Sequence, residues 1–378
     1  MSPNDSAPRY AFATSEDAQS VTAIDLSTRQ AVATLVAGPT AHAMAVTPDG
    51  TRLYVVNRRG RSLTVIDAHT PAVIDTIVLA SDPMGAAVSP DGRWLAVLGR
   101  DRLVAWVLDP ATGALQHEIP FGDAAPDAGP PGPRSTHPVW APDSTSFYAQ
   151  DNVHGALVRV DALGGAAATR LPLPSPAHMA YVAPDGGRIY ALCVGAADGS
   201  VPPSVAALDA VSGRLVADTP IPLAEGESGE LHHGALNLAR SRFFVANMGQ
   251  GRPRGGHSIH VLDTASLQFV ARLEAGAGAG HPLLSPDGAR LFVVNHSAPR
   301  LHVFDADALT LVGEVPLPGA KAMGHGCFFA EGGRDFWAVS SGAGAAYAVD
   351  TRTLQVVATV ETGPNCQDIA HHWRDAYA

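Results

Sequence analysis

An apolar, alternating run that closes on aspartate recurs eight times: VTAID (Asp25), LTVID (Asp67), AWVLD (Asp109), LVRVD (Asp161), VAALD (Asp209), IHVLD (Asp263), LHVFD (Asp305) and AYAVD (Asp350). A turn follows each, and then a further short apolar run, as in LSTRQ before AVATLVA. Upstream of most repeats stands a strand, then Pro-Asp-Gly, then another strand, as in AMAVTPDGTRLYVVN and PLLSPDGARLFVVN. Proline presets φ for a tight turn and glycine accepts φ > 0. Each repeat therefore reads as four short antiparallel strands with period-two alternation. A spacing of roughly 42 to 54 residues is that of a propeller blade. No helical periodicity of useful length competes with it. The pattern predicts an all-β, eight-bladed β-propeller of four-stranded antiparallel blades. Seven blades, with one degenerate pair, is the alternative.

The first repeat, residues 8–36, carries three strands and lacks an inner one. The stretch Gly363-Pro364-Asn365-Cys366-Gln367-Asp368-Ile369-Ala370 supplies it, starting as GPN where the second blade starts as GPT. Pairing the two chain ends closes the ring and removes a free sheet edge. Residues 121–136, 196–204 and 248–258 are Pro- or Gly-rich surface loops, none long enough for a second domain. Residues 1–378 are expected to form a single propeller domain.

Composition narrows the function classes. Hydrophobic residues make up 46% of the 378, enough to bury a core, so a disordered chain is excluded. A formal charge of −11 argues against nucleic acid or an anionic membrane as main partner. No apolar run approaches the roughly 18 residues of a spanning helix. MSPNDSAPRY resembles no signal peptide, which places the chain in the cytoplasm as it stands, or in the periplasm if a leader has been removed. Cys193, Cys327 and Cys366 cannot make a disulfide framework. The anomaly is histidine, with 16 residues against 25 Lys plus Arg.

Placed on the repeat, these histidines fall in register. Six or seven residues before the turn aspartate, or its equivalent, lies the start of each blade's innermost strand. His42, His137, His178, His233, His281 and His325 occupy that position in blades two, four, five, six, seven and eight. Blade three has Met84, and the closing strand has Gln367. Inner-strand starts line the mouth of the axial channel, so six imidazoles converge there. Imidazoles gathered without carboxylate partners are a metal site or an axial cofactor site. The bland reading is that each one hydrogen-bonds a neighbouring backbone. The same rim is expected to carry His154, His257 and His296 in loops between second and third strands. His232 points away unless the strand start is irregular. Cys327 follows His325 by two residues, and a thiolate there favours copper or zinc, although a buried structural thiol is equally in keeping. His69, His117, His260 and His302 read as strand or turn residues, and one of His371 and His372, before Trp373, is expected to point inward. Asp368 is the one carboxylate at the ring, with Glu225, Glu227 and Glu230 in a loop before His232. Arg58-Arg59-Gly60-Arg61 and Arg252-Pro253-Arg254 read as solvated loop charge, or as contacts for an anionic substrate or cofactor carboxylates. HExxH, CxxC, CxxCH and Walker motifs are absent, and GAGAGAGH leads into a strand, so it is no phosphate loop.

TPDGTRLYVVN followed by LTVIDAHTPAVIDTI resembles the YVTN-repeat propellers over nearly the whole chain. More narrowly, eight blades and the run AIDLSTRQAVATLVAGPTAHAMAVTPDGTRLYVV look like the haem propeller of cytochrome cd nitrite reductases, and like propellers implicated in making that haem. That resemblance implies a proximal haem ligand at His42 and distal histidines at His178 and His233. It does not account for His137, His281 and His325, and no cytochrome c region is present. His-lined axes also occur in copper propellers of the nitrous oxide reductase and thiocyanate dehydrogenase type and in zinc chaperones, and carotenoid oxygenases hold an iron on four axial histidines.

The leading expectation is a metal-dependent oxidoreductase acting on a small molecule. Its transition metal, copper or iron with zinc possible, is held by three or four of His42, His137, His178, His233, His281 and His325. The alternatives are a carrier, either a metallochaperone or a haem propeller of the nitrite reductase type, and a non-catalytic interaction scaffold. Fold alone does not choose among them.

Overall fold

Eight four-stranded antiparallel sheets follow one another along the chain. The structure is a computed structural model and describes residues 9–122, 136–163, 168–196, 198–251 and 254–371. Seven sheets are built from four consecutive strands each. The remaining one joins Tyr10–Ser15, Ser20–Asp25 and Gln30–Val36 to Cys366–Ala370. The fold is an eight-bladed, all-β propeller, and the seven-blade alternative is set aside. Most of the loop 121–136, together with Arg252, His372 and Trp373, lies outside the described residues.

The recurring aspartates do one job in every blade. Each carboxylate accepts backbone N–H groups two or three residues on, as Asp67 does from His69 and Thr70 and Asp350 from Arg352 and Thr353. These Asx turns tie the third strand to the fourth. Four residues after the aspartate the backbone often turns left-handed, even at Leu267, Leu309 and Leu354, with φ of 56–59°. In the Pro-Asp-Gly turns the glycines Gly50, Gly92, Gly186 and Gly288 take φ of 67–74°, as their sequence requires.

Second and third strands are sandwiched between neighbouring blades, so they read as continuous apolar runs. Leu53–Asn57 and Leu291–Asn295 are buried throughout, whereas outermost strands such as Gln30–Val36 are mostly exposed. Blades two and three share Tyr54, Leu63, Leu95 and Trp106, and blades seven and eight stack Phe292 on Phe336 at 4.9 Å. Cys327 lies half-buried against that last cluster. His260 and His302 are buried within their blades, as strand residues.

The seam between the chain ends is stitched from both sides. Phe12 and Ala13 pair with Ala370 and Ile369, Glu16 N–H donates to Asn365 O, and Ser15 Oγ donates to Pro364 O. His325 N–H and Gly326 N–H both donate to Gln367 O, so blade eight is anchored on the same strand. Asp368, expected to stand at the ring, accepts the Met44 N–H at 2.9 Å and ties this strand to blade two.

Removal of residues 363–378 strips blade one of its inner strand and exposes a sheet edge. The truncated chain is expected to aggregate, as read by size-exclusion chromatography. A monomer with an unchanged melting temperature contradicts this account of closure.

Candidate metal or cofactor centre

The inner strands do not run regularly at their starts. In blade five Ala177 pairs with Cys193 but Met179 with Leu192, so His178 is the extra residue of a bulge. Met84 occupies the same bulge in blade three. In blade two Ala41 pairs with Asn57 and Met44 with Val55, leaving His42 and Ala43 in the irregular step. In blade six the step from Leu231 to Gly234 contains both His232 and His233. A bulge locally cancels period-two alternation and re-aims side chains. This is why His232, expected to point away, joins its neighbour on the axis.

Eight imidazoles meet there. His178 stacks on His232 at 4.2 Å between ring centroids, and His233 lies 3.9 Å from His281. His296 is 5.1 Å from His232, 5.2 Å from His281 and 4.8 Å from His325. His137 reaches His233 at 6.3 Å, and His42 reaches His325 at 5.5 Å. All six in-register histidines are therefore in or beside one cluster. Its middle is occupied by His232 and His296, which the register had placed off the axis or in a loop. The donor nitrogens of His232, His281, His296 and His325 lie within 4.8 Å of one another, as do those of His178, His232 and His233.

The glycines around the cluster make room for it. A Cβ on Gly280 would stand 2.2 Å from the His296 ring, and one on Gly85 would stand 2.4 Å from Thr136 O, beside His137. Threonines of the preceding blade hold the bulge carbonyls, with Thr14 Oγ1 donating to His42 O and Thr136 Oγ1 to His178 O.

A second carboxylate reaches the ring and corrects the expectation that only Asp368 does. Glu16 Oε1 lies 2.6 Å from His42 Nδ1, and Asn365 Nδ2 donates to its other oxygen. Arg58, read as loop charge, places Nη1 3.1 Å from His42 Nε2. Glu227 instead serves a loop network with Asn247, Ser258 and Arg272, and Glu230 pairs with Arg254. His154 and His257 leave the cluster to pair with Asp151 and Glu274. His371 stacks on Phe328, and Gln367 donates to Asn365.

Burial keeps these imidazoles uncharged. It pushes His178 down to about 3, and His137 and His296 to about 4. Burial first, and neighbouring rings second, hold His232, His233, His281 and His325 well below the usual histidine range. His42 is lowered by burial against the opposing pull of Glu16. Neutral imidazoles with free lone pairs are metal ligands.

The comparisons with known proteins agree with this architecture. A family model, the cytochrome D1 heme domain, matches residues 10–152, which include Glu16, His42 and Arg58. Among solved structures, the chain is similar to that described as dihydro-heme d1 dehydrogenase NirN in complex with DHE. That similarity has a TM-score of 0.78 and 19% identity over 100% of this chain and 78% of the other. It is also similar to Kuenenia stuttgartiensis hydrazine synthase, with a TM-score of 0.62 and 20% identity over 87% of this chain and 97% of that one. At these identities the shared property is the fold. No curated protein matches the chain by sequence. Among the described residues, no helix is long and apolar enough to cross a membrane.

The lowered pKa values carry a pH signature. Between pH 6.5 and about 4 the unfolded chain protonates these histidines and the folded one does not, so stability falls with falling pH. Metal-free protein is expected to keep a flat melting temperature from pH 8 to 7 and to lose it steeply below 6.5. His178→Gln should lessen the loss. Scanning fluorimetry across pH checks both, and an unchanged slope in the variant counts against a neutral buried cluster.

Proposed function

We propose that this chain is a haem-binding propeller that holds its tetrapyrrole at the axial mouth through His42. The carrying observation is the state of that imidazole. Arginine offers only donors, so His42 Nε2 must be the acceptor toward Arg58, and Nδ1–H donates to the Glu16 carboxylate. The Glu16 carboxylate orients the ring and leaves the lone pair on Nε2, which becomes available to an iron once the Arg58 guanidinium yields that position. The residues present therefore fit such a group.

Three further points support the reading. The cytochrome D1 heme match spans Glu16, His42 and Arg58. The whole-chain fold similarity is to a haem d1 enzyme solved with its ligand. Arg58 and Arg254 stand beside the cluster and can offset the peripheral carboxylates of a tetrapyrrole, which are recognised well by guanidinium groups. These points put haem ahead of the copper ion that the imidazole count alone favours.

A bound haem would supply a redox-active iron able to take a small ligand. The chain's own part is to orient His42 through Glu16, to hold Glu16 through Asn365, and to keep the surrounding imidazoles neutral. Held neutral by burial, these imidazoles offer lone pairs and N–H groups to a small-molecule substrate without adding charge to the mouth.

The test is reconstitution of haem-free protein with haem d1 and, separately, haem b. One equivalent should bind with a Soret-region band, and His42→Ala should abolish it. Glu16→Gln should retain the band but raise the reduction potential, because the ligand loses its anionic hydrogen-bond partner. Equal haem uptake by His42→Ala, or none by the wild type, overturns the reading.

A further inference from the structure

Haem iron takes at most one or two protein ligands, so a haem held through His42 leaves most of the imidazoles of His232, His281, His296 and His325 without a ligand role. Four histidine nitrogens within 4.8 Å of one another point to a different occupant. We propose that these four residues, contributed by blades six, seven and eight, form a separate site for a bare divalent transition-metal ion of the zinc, cobalt or copper class.

Distance supports this first. A tetrahedral ion with metal–nitrogen bonds of about 2.0–2.1 Å separates its ligand atoms by about 3.3 Å. His281 Nε2 and His325 Nδ1 are 3.4 Å apart. The other donor nitrogens lie within 4.8 Å of one another and would have to draw inward on an ion.

The outer partners of the rings support it second. His296 Nδ1 faces Met323 O at 3.2 Å, and His232 Nδ1 faces Gly280 O at 3.4 Å. Backbone carbonyls take N–H donors, so both rings turn an Nε2 lone pair toward the centre. This is the arrangement by which proteins orient metal-binding histidines. His296 Nε2 is buried and has no hydrogen-bond partner. An orphaned buried acceptor is costly unless something else satisfies it.

The local chemistry is the third support. No carboxylate is among the four ligands, and neutral imidazole suits zinc, cobalt and copper rather than magnesium or calcium. Arg254, the guanidinium whose charge acts on His296, is paired with Glu230 at 3.3 Å. Gly280 completes the site from beneath, since any side chain there would strike the His296 ring. His178 and His233 form a second group that shares His232, and they flank the ion rather than complete its first four ligands.

The site does not depend on the haem reading, and haem-free protein tests it. Chelator-stripped full-length chain is titrated with cobalt(II), and with zinc by calorimetry. One equivalent should bind, with the intense visible ligand-field bands of a four-coordinate ion. His296→Ala and His325→Gln should each weaken zinc at least about 100-fold, and Gly280→Ala about 10-fold, with circular dichroism confirming the fold. His117→Ala should bind as the wild type does, and His42→Ala should lose haem yet keep zinc. Should His296→Ala misfold, His325→Gln and Gly280→Ala carry the test. Wild-type protein that binds neither metal, a six-coordinate cobalt spectrum, or zinc affinity unchanged in the folded ligand variants overturns the proposal. Equal zinc loss in His42→Ala overturns the separation of the two sites.

Discussion

Ring closure is the constraint on which the rest of the molecule hangs. A propeller blade buries both faces only if it has a neighbour on each side, so the first and last blades must meet or leave an apolar face and a strand edge in water. Here the meeting is made by one five-residue strand, Cys366–Ala370, laid against a blade that the other chain end began. The same strand carries the Asp368 carboxylate to Met44 N–H and the Gln367 carbonyl to His325 and Gly326. Just before it, Asn365 grips Glu16. Closing the fold and preparing His42 are thus one event, because Glu16 reaches His42 from the seam.

Within the closed ring the bulges decide what the axis looks like. A regular inner strand sends every other side chain into the blade interface, so two adjacent histidines cannot both face the channel. The irregular steps at Ala41–Met44, Ala177–Met179 and Leu231–Gly234 break that rule where histidines stand. Glycines at 85 and 280 remove the side chains that would fill the space. Gathering eight imidazoles costs desolvation, since each loses water and His296 Nε2 is left buried with no hydrogen-bond partner. Such a cost is tolerated where a bound group repays it.

The site divides into two chemical neighbourhoods. At one edge, His42 sits between Glu16 and Arg58, a charged and directional setting suited to a single strong ligand bond. Across blades six to eight, four neutral rings face one another with no charge among them, a setting suited to an ion that collects several equal bonds. His325 touches both, its ring 5.5 Å from that of His42 and its Nδ1 3.4 Å from His281 Nε2. A group held at one position is therefore close enough to sense the charge of the other.

Much of the architecture was legible in the sequence, because a blade is local. The Asp-terminated strand, the Pro-Asp-Gly turn and the period-two pattern each act over a few residues, and their repetition left only the blade count, eight or seven, open. The matching GPT and GPN starts even disclosed the closure. The register of histidines was legible for the same reason, since equivalent positions in equivalent blades must share an environment. What only the tertiary structure decided was non-local or irregular. His296 lies in a rim loop and His232 on the wrong phase of a strand. Both reach the axis because a loop folds inward over Gly280 and a bulge reverses a side chain. Glu16 and Asn365 are 349 residues apart and meet only when the ring shuts. Period and composition report a side chain's phase along its own strand, whereas a ligand set depends on distances between blades, and those exist only once every blade has packed on two others.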